Sequence, residues 1–482
     1  MLRRIFNYLL NKIRIFKIYY LFQKIVLSFI IKNQDHLLVK FGKRKTTQID
    51  YKPFQANQIP FYIDYDENER RFAEIRCNSF IKYYRKSVFI DKTIDSLINN
   101  LNINNFDTYS LSELSSNYII SCFWRRMEPN QSFLFKILTL IDSKLEYHPF
   151  DLTNNHFFNN IRACILISFH LKSKKLNFYI KSLNYFLSKY VSKNGILKFE
   201  KSNSYQSLFF TWIYELDFIL KSNSYQITNL SNLIAKSNKI ISFYRDQLQY
   251  GVRVGDTTPD KTSSELIERL SFWIEKYKLK KNSINLFHDD ESNFYYAELN
   301  ELTLLSYYDS EIKYSHSHDD YNSFVVCLNK NVLIGDIGLI SYNKKDSWMK
   351  NYNYHNNLEI YALDRIVYPK IKSVNVNNYI NINYEYIDKR IAFECIVSIQ
   401  KSKNQLDLVY SINCNQKINF CITYCLNKSK KFIYNKELLI MKSSELESSL
   451  NYSKTDQSSY KLIKLRNSKQ SYKFNFNLKV FR

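Results

Sequence analysis

Glycine and proline are scarce: each occurs six times in 482 residues. That excludes collagen-like, Gly/Ser-rich and Pro-rich architectures. No glycine-rich phosphate loop, kinase signature set or nucleophile elbow is present. No repeat with a period of about 20–50 residues is visible, which excludes a solenoid or propeller reading. The eight cysteines (Cys77, Cys122, Cys164, Cys327, Cys395, Cys414, Cys421 and Cys425) show no zinc-ribbon spacing. Free, mostly buried thiols are therefore expected. Cys421 and Cys425 lie in an apolar run that reads as a strand. Long apolar runs are missing as well. In residues 1–31 the longest uncharged stretch near the end, 25–31, is too short to span a bilayer. No small-x-small cleavage site follows it. The segment is apolar and basic (Arg3, Arg4, Lys12, Arg14, Lys17, Lys24). It reads as an amphipathic helix that packs on the protein or touches a membrane surface peripherally. A cytoplasmic or membrane-surface location is expected over a periplasmic one.

Aromatic residues are abundant instead, with 40 Tyr and 35 Phe, and hydrophobic residues make up 45%. This is the composition of a folded chain, not a disordered one. The length favours more than one domain. The bias toward Lys, Asn, Ile, Tyr and Phe matches an AT-rich genome. The net charge is +24, from 69 Lys and Arg against 45 Asp and Glu. Such a field attracts polyanions: nucleic acid, anionic lipid or acidic polysaccharide. The lysines rarely cluster and no nucleic-acid reader motif occurs, so nucleic acid is not an expected partner.

From about residue 80 to 279 apolar residues recur at helical spacing. Phe158, Ile161, Ile165 and Phe169 form one such series; Leu208, Trp212, Leu216 and Ile219 form another; Leu266, Leu270 and Trp273 a third. Short polar breaks separate them, notably Lys193-Asn194-Gly195 and Ser222-Asn223-Ser224. Many antiparallel helices with short loops predict an incomplete α/α toroid or helical array. Beyond this region the period falls to two. Residues 294–299, 323–328, 331–334, 391–400, 405–412 and 472–481 read as strands, with polar turns such as Asn329-Lys330-Asn331 between them. The expected fold is α+β and multidomain, an N-terminal incomplete (α/α) toroid followed by an antiparallel β-sandwich. The expected division is a basic extension over 1–75, a helical domain over 76–285 and a β-domain over 286–482.

Only eight histidines occur in the chain, and two lie in Ser315-His316-Ser317-His318-Asp319-Asp320. In an extended segment His316, His318 and Asp320 would share one face. Asp336 and His355 follow as further candidate ligands. Two imidazoles and a carboxylate, with water, make a reasonable zinc site, although a lone His-x-His pair on a strand is more often a packing feature. Three further patches are polar. They are Asn154-Asn155-His156 ahead of an apolar helix, Glu200-x-Ser202-x-x-Tyr205-Gln206, and Arg253-Val254-Gly255-Asp256-Thr257-Thr258-Pro259-Asp260. Each has a plain reading as a helix start or turn.

In order, His316, His318, Asp320, Ser323, Phe324, Asp336, Gly338, Tyr342, His355 and Asn356 resemble the signature run of heparinase II/III-like polysaccharide lyases. The 253–260 segment is similar to a loop in a bacterial subgroup encoded with surface-polysaccharide assembly functions. The resemblance covers about residues 110–360 and implies the same helical-then-sandwich architecture. It implies cleavage of an acidic, uronic-acid glycan by β-elimination, with Asn155, His156, Tyr205 and His316 as catalytic residues. It also implies a structural divalent metal, zinc, on His318, Asp336 and His355. Some relatives carry His where Gln206 stands. The alternative expectation is a protein of this fold that binds or modifies a glycan in surface-polysaccharide assembly without lyase turnover.

Overall fold

The computed structural model describes residues 108–126, 128–144, 155–198, 200–257, 261–279, 285–307, 318, 322–336, 338, 355–362, 365–402, 405–427, 432–434, 438–441, 460–467 and 471–481. The basic segment over 1–31 lies outside them, as do His316, Asp320 and Tyr342. The fold is mixed α+β: helices occupy the first part of the described chain and antiparallel strands the second. The chain divides into two compact units, whose described residues fall within 108–186 and 187–481.

In the first unit, α1 (Thr108–Arg125), α2 (Gln131–Lys144) and α3 (Asn155–His170) bury Ile119, Leu134, Ile137, Ile161 and Ile165. The α3 face against α1 is polar as well as apolar. Buried Arg162 donates to Glu113 at 2.8 Å and to Asn159 Oδ1 at 2.9 Å. Ser112 donates to Asn160 at 2.8 Å, and Asn159 donates to the Tyr109 carbonyl at 3.2 Å. A buried charge is tolerable only when paired and hydrogen-bonded in this way. Helix α4 (Leu176–Tyr190) carries the chain from the first unit into the second.

In the second unit, α5 (Asn203–Ser222), α6 (Thr228–Ser237), α7 (Ile241–Gln249) and α8 (Lys261–Lys276) bury the predicted stripes. Leu208, Trp212, Leu216 and Ile219 are all inside, with Leu266, Leu270 and Trp273 of α8. A buried ion pair joins Arg269 to Glu215. The strands are β1 (Leu286–Asp289), β2 (Phe294–Leu299), β3 (Leu302–Tyr307), β4 (Val325–Leu328), β5 (Asn331–Ile334), β6 (Asn357–Ala362), β7 (Arg365–Val367) and β8 (Lys370–Val376). They continue with β9 (Ile380–Ile387), β10 (Ala392–Ser402), β11 (Gln405–Asn427), β12 (Phe432–Tyr434), β13 (Leu438–Met441), β14 (Tyr460–Asn467) and β15 (Ser471–Phe481). The main pairing path runs β1-β2-β3-β4-β5-β11-β10-β9-β8, antiparallel throughout.

Strand β11 is the hub. Its first part pairs with β10 and β15; after a register shift between Asn413 and Ile418 its second part pairs with β6 and β14. Alternation decides which side chains enter the core: Phe393, Cys395, Val397 and Ile399 of β10 face Leu406, Leu408, Tyr410 and Ile412 of β11 in one cluster. Two buried asparagines knit the loops to this sheet. Asn322 donates to the carbonyls of Leu358 (3.1 Å) and Pro369 (3.0 Å) and accepts from Leu358 N–H at 3.1 Å. Asn356 donates to the carbonyls of Phe324 (2.8 Å) and Gly335, and accepts from Cys425 N–H at 2.7 Å. No helix among the described residues is long and apolar enough to cross a membrane. All seven described cysteines are free, six of them buried.

Candidate metal centre and neighbouring polar residues

Strand β5 ends at Ile334, and the chain leaves the sheet through Gly335 to Asp336. Asp336 folds back on its own backbone: one carboxylate oxygen accepts the Gly338 N–H at 2.9 Å. Gly338 sits at φ +62°, a conformation that glycine adopts without steric cost. A Cβ there would collide with the Thr257 carbonyl oxygen and stand 2.9 Å from Arg253 Cβ. The Asp-x-Gly spacing is thus required by a turn that lies directly on the 253–257 loop.

The other oxygen of Asp336 accepts from His355 Nδ1 at 2.9 Å. His355 directly precedes Asn356, which fixes that stretch by the three bonds described above. His318 reaches the same place from the segment before β4, its ring centroid 5.0 Å from that of His355. The candidate ligand atoms of His318, Asp336 and His355 lie within 4.8 Å of one another, and all three residues are buried. Burial alone would raise the Asp336 pKa. The His355 imidazole, which also hydrogen-bonds it, the His318 imidazole and the Gly338 N–H outweigh that, and the carboxyl is held below its usual range. Beside it, burial pushes the Cys425 thiol well up, and the Asp336 charge adds to the effect against an opposing pull from Arg253.

These residues fit a divalent metal. Tetrahedral bonds of about 2.0–2.1 Å place ligand atoms roughly 3.3 Å apart, a spacing the cluster spans. His318 Nδ1 is a buried polar atom with no hydrogen-bond partner among the described residues, and a metal would satisfy it. The opposite ring nitrogen, Nε2, is hydrogen-bonded to Asp256 Oδ1 at 2.9 Å, with both side chains fully buried. Asp256 was visible in the sequence only as part of a Gly-Asp turn; its partner is 62 residues away.

The remaining candidates are distributed as follows. Asn155 is the first residue of α3 and is buried; His156 follows, half-buried, its ring 4.5 Å from that of Tyr109. Both belong to the first unit. Tyr205 belongs to the second unit, in the first turn of α5, and is half-buried. Glu200 and Ser202 precede it as buried residues, with Lys201 between them at φ +41°. Ser202 adopts the extended N-cap conformation, yet its own side chain makes no capping bond. Thr257 supplies the cap: its Oγ1 donates to the Val254 carbonyl at 2.6 Å, so it accepts from Ser204 N–H (3.3 Å) and from the Ser202 hydroxyl (3.2 Å). Gln206 is turned the other way, accepting from Leu197 N–H at 2.8 Å and donating to the Gly195 carbonyl at 3.2 Å. It pins the turn between α4 and α5.

No known family profile matches the chain, and no curated protein matches it in sequence. Among solved structures, the chain is similar to heparinase III, with a TM-score of 0.61 at 13% identity over 86% of this chain and 77% of that one. A further heparinase III structure, with methylated lysines, matches with a TM-score of 0.55 at 13% identity, over 92% of this chain and 82% of that one. At this identity the likeness establishes a fold shared with heparinase III.

Proposed function

We propose that this protein is a polysaccharide lyase that cleaves an acidic, uronic-acid glycan by β-elimination. One conjunction carries the reading: a fold shared with heparinase III, and a buried His318–Asp336–His355 cluster at the positions of the sequence motif. On this reading the helices form an incomplete (α/α) toroid and the strands a β-sandwich. The weakly acidic C5 proton of the sugar has to be removed while its carboxylate is stabilised. Asn155 and His156 carry the donors for that carboxylate. Tyr205 takes the C5 proton or protonates the leaving oxygen, and His316 is the other candidate for the second task. The C5–H pair becomes the C4–C5 double bond, the C4–O bond breaks, and the leaving oxygen receives a proton. A divalent metal, zinc by its donor set, would sit on His318, Asp336 and His355 and supply rigidity to the segments that bear them.

Incubating the pure protein with a panel of uronic-acid polysaccharides should generate the ultraviolet absorbance of an unsaturated product. Tyr205→Phe keeps the ring and deletes the proton, so the rate should fall about 10²–10⁴-fold with the fold intact. A Phe variant that keeps more than about a tenth of the wild-type rate removes Tyr205 from the role, because general acid–base catalysis is worth far more than that. Elemental analysis of protein purified without chelator tests the metal. Less than about 0.2 equivalents per chain, unchanged in His318→Ala, would sink the zinc assignment, since metal binding to such a site is linked to folding.

A further inference from the structure

The 253–257 loop touches two of the polar centres just described, and the contacts are made by adjacent residues. Asp256 meets His318 Nε2 at 2.9 Å. Thr257 caps α5 through Ser202, the residue just before the helix, and Ser204, its second residue, in the turn that carries Tyr205. The same loop is wedged against Gly338, whose N–H holds Asp336. Asp256, Thr257, His318 and Asp336 are all buried, so none of these contacts is a solvated accident of the surface.

We infer that Asp256 is a positioning residue for the metal centre, and that its loop is a strut coupling metal occupancy to the start of the Tyr205 helix. The inference rests on the metal reading proposed above. The chemistry follows from the bond. An ionised carboxylate can only accept, so His318 must place its proton on Nε2. Nδ1 is then the nitrogen with a lone pair, and it is the ring atom left without a hydrogen bond. A carboxylate on the far nitrogen of a ligand imidazole sets the tautomer, fixes the ring and raises its basicity. Because Thr257 is covalently next to Asp256, a ring held by a metal holds the loop, and the loop holds the first amides of α5. Loss of the metal frees the His318 ring to turn, and the strut loses its anchor at one end.

Two readouts test this on the full-length protein. The first is zinc affinity by competition with a chromophoric chelator. Asp256→Asn keeps the shape and drops the charge, and should weaken binding about 10-fold; Asp256→Ala should weaken it toward 100-fold. Thr257→Val, which leaves the carboxylate in place, should stay within about threefold of wild type by the same reasoning. The second readout is amide exchange over residues 202–208. It should speed up when wild-type protein is stripped of metal, and Thr257→Val should show the faster exchange even when loaded. An Asp256→Asn variant that binds zinc as tightly as wild type overturns the positioning role. Exchange over 202–208 that ignores metal removal overturns the strut. Wild-type protein that binds no zinc at all overturns the metal reading and this one together. If Asp256→Ala fails to fold, the isosteric Asp256→Asn still decides the positioning role, and the loaded and stripped wild-type forms decide the strut without any substitution.

Discussion

Asn356 shows how one side chain can hold three segments. Its amide spans the carbonyls of Phe324 and Gly335 and its oxygen takes the Cys425 N–H, so it joins the entry to β4, the exit of β5 and the hub strand β11. Asn356→Ala leaves three buried backbone groups unpaired. At about 1–3 kcal/mol for each such group, partly relieved by relaxation, a loss of roughly 3 kcal/mol is expected. Urea unfolding should show it as a lower midpoint with an unchanged slope. His170, at the end of α3, supplies a pH test. Burial lowers its pKa from 6.5, outweighing the opposite pull of Glu128. The folded chain therefore binds fewer protons than the unfolded chain just below pH 6.5. Stability from the neutral imidazole is present above that value, falls as the pH drops through the window, and levels off below the folded pKa. His170→Gln should flatten this part of the stability profile between pH 7 and 5, and an equally steep profile in the variant would assign the slope to other groups.

At the scale of elements, much was legible because the periods are strong. The stripe Leu208-Trp212-Leu216-Ile219 is buried in α5, and the alternation of 391–400 is that of β10. Turn chemistry was legible too. Asn329 and Lys330 connect β4 and β5 with φ values of +49° and +63°, the left-handed pair that a two-residue hairpin with right-handed strand twist requires. Lysine carries a steric cost of about 1–2 kcal/mol in that conformation. Lys330→Gly should recover part of it, roughly 0.5–1 kcal/mol after the added freedom of the unfolded chain. A raised urea midpoint measures this, and a lowered one would mean that the lysine side chain contributes contacts of its own. The full length of β11 was not legible. The strand expected over 405–412 runs on through the polar stretch Asn413-Cys414-Asn415-Gln416-Lys417 to Asn427. It does so because the register shift releases one set of partners and engages another, which is a long-range choice. Asp256 was opaque for the same reason: a turn residue becomes a buried histidine partner only once a segment 62 residues further along has folded against it. His318, Asp336 and His355 were legible as a set through the family resemblance of the run from His316 to Asn356, whereas spacing alone grouped His318 with His316 and Asp320.

For the molecule as a whole, the governing quantity is its charge. An excess of 24 positive charges over 482 residues is spread along the chain, not gathered in one motif. A diffuse field of this kind steers polyanions toward the surface without choosing among them. Selection then falls to the buried polar groups, where an unpaired donor or acceptor is costly and only a matching ligand satisfies it. The two contributions differ in their response to salt. Surface attraction is screened as the Debye length shrinks from about 10 Å at 0.1 M to about 3 Å at 1 M, whereas buried contacts are screened much less. Binding of the proposed uronic-acid substrate should therefore weaken steeply with added salt, by at least about tenfold between 0.05 and 0.5 M, and flatten at a residual affinity above that. A carboxyl-reduced form of the same polysaccharide removes the charge and keeps the sugar framework. Isothermal titration should show it binding weakly at every ionic strength. If the reduced polymer binds as well as the acidic one, or if the acidic one binds equally at both ends of the salt range, the positive field plays no part in recognition, and an acidic glycan loses its claim as the substrate.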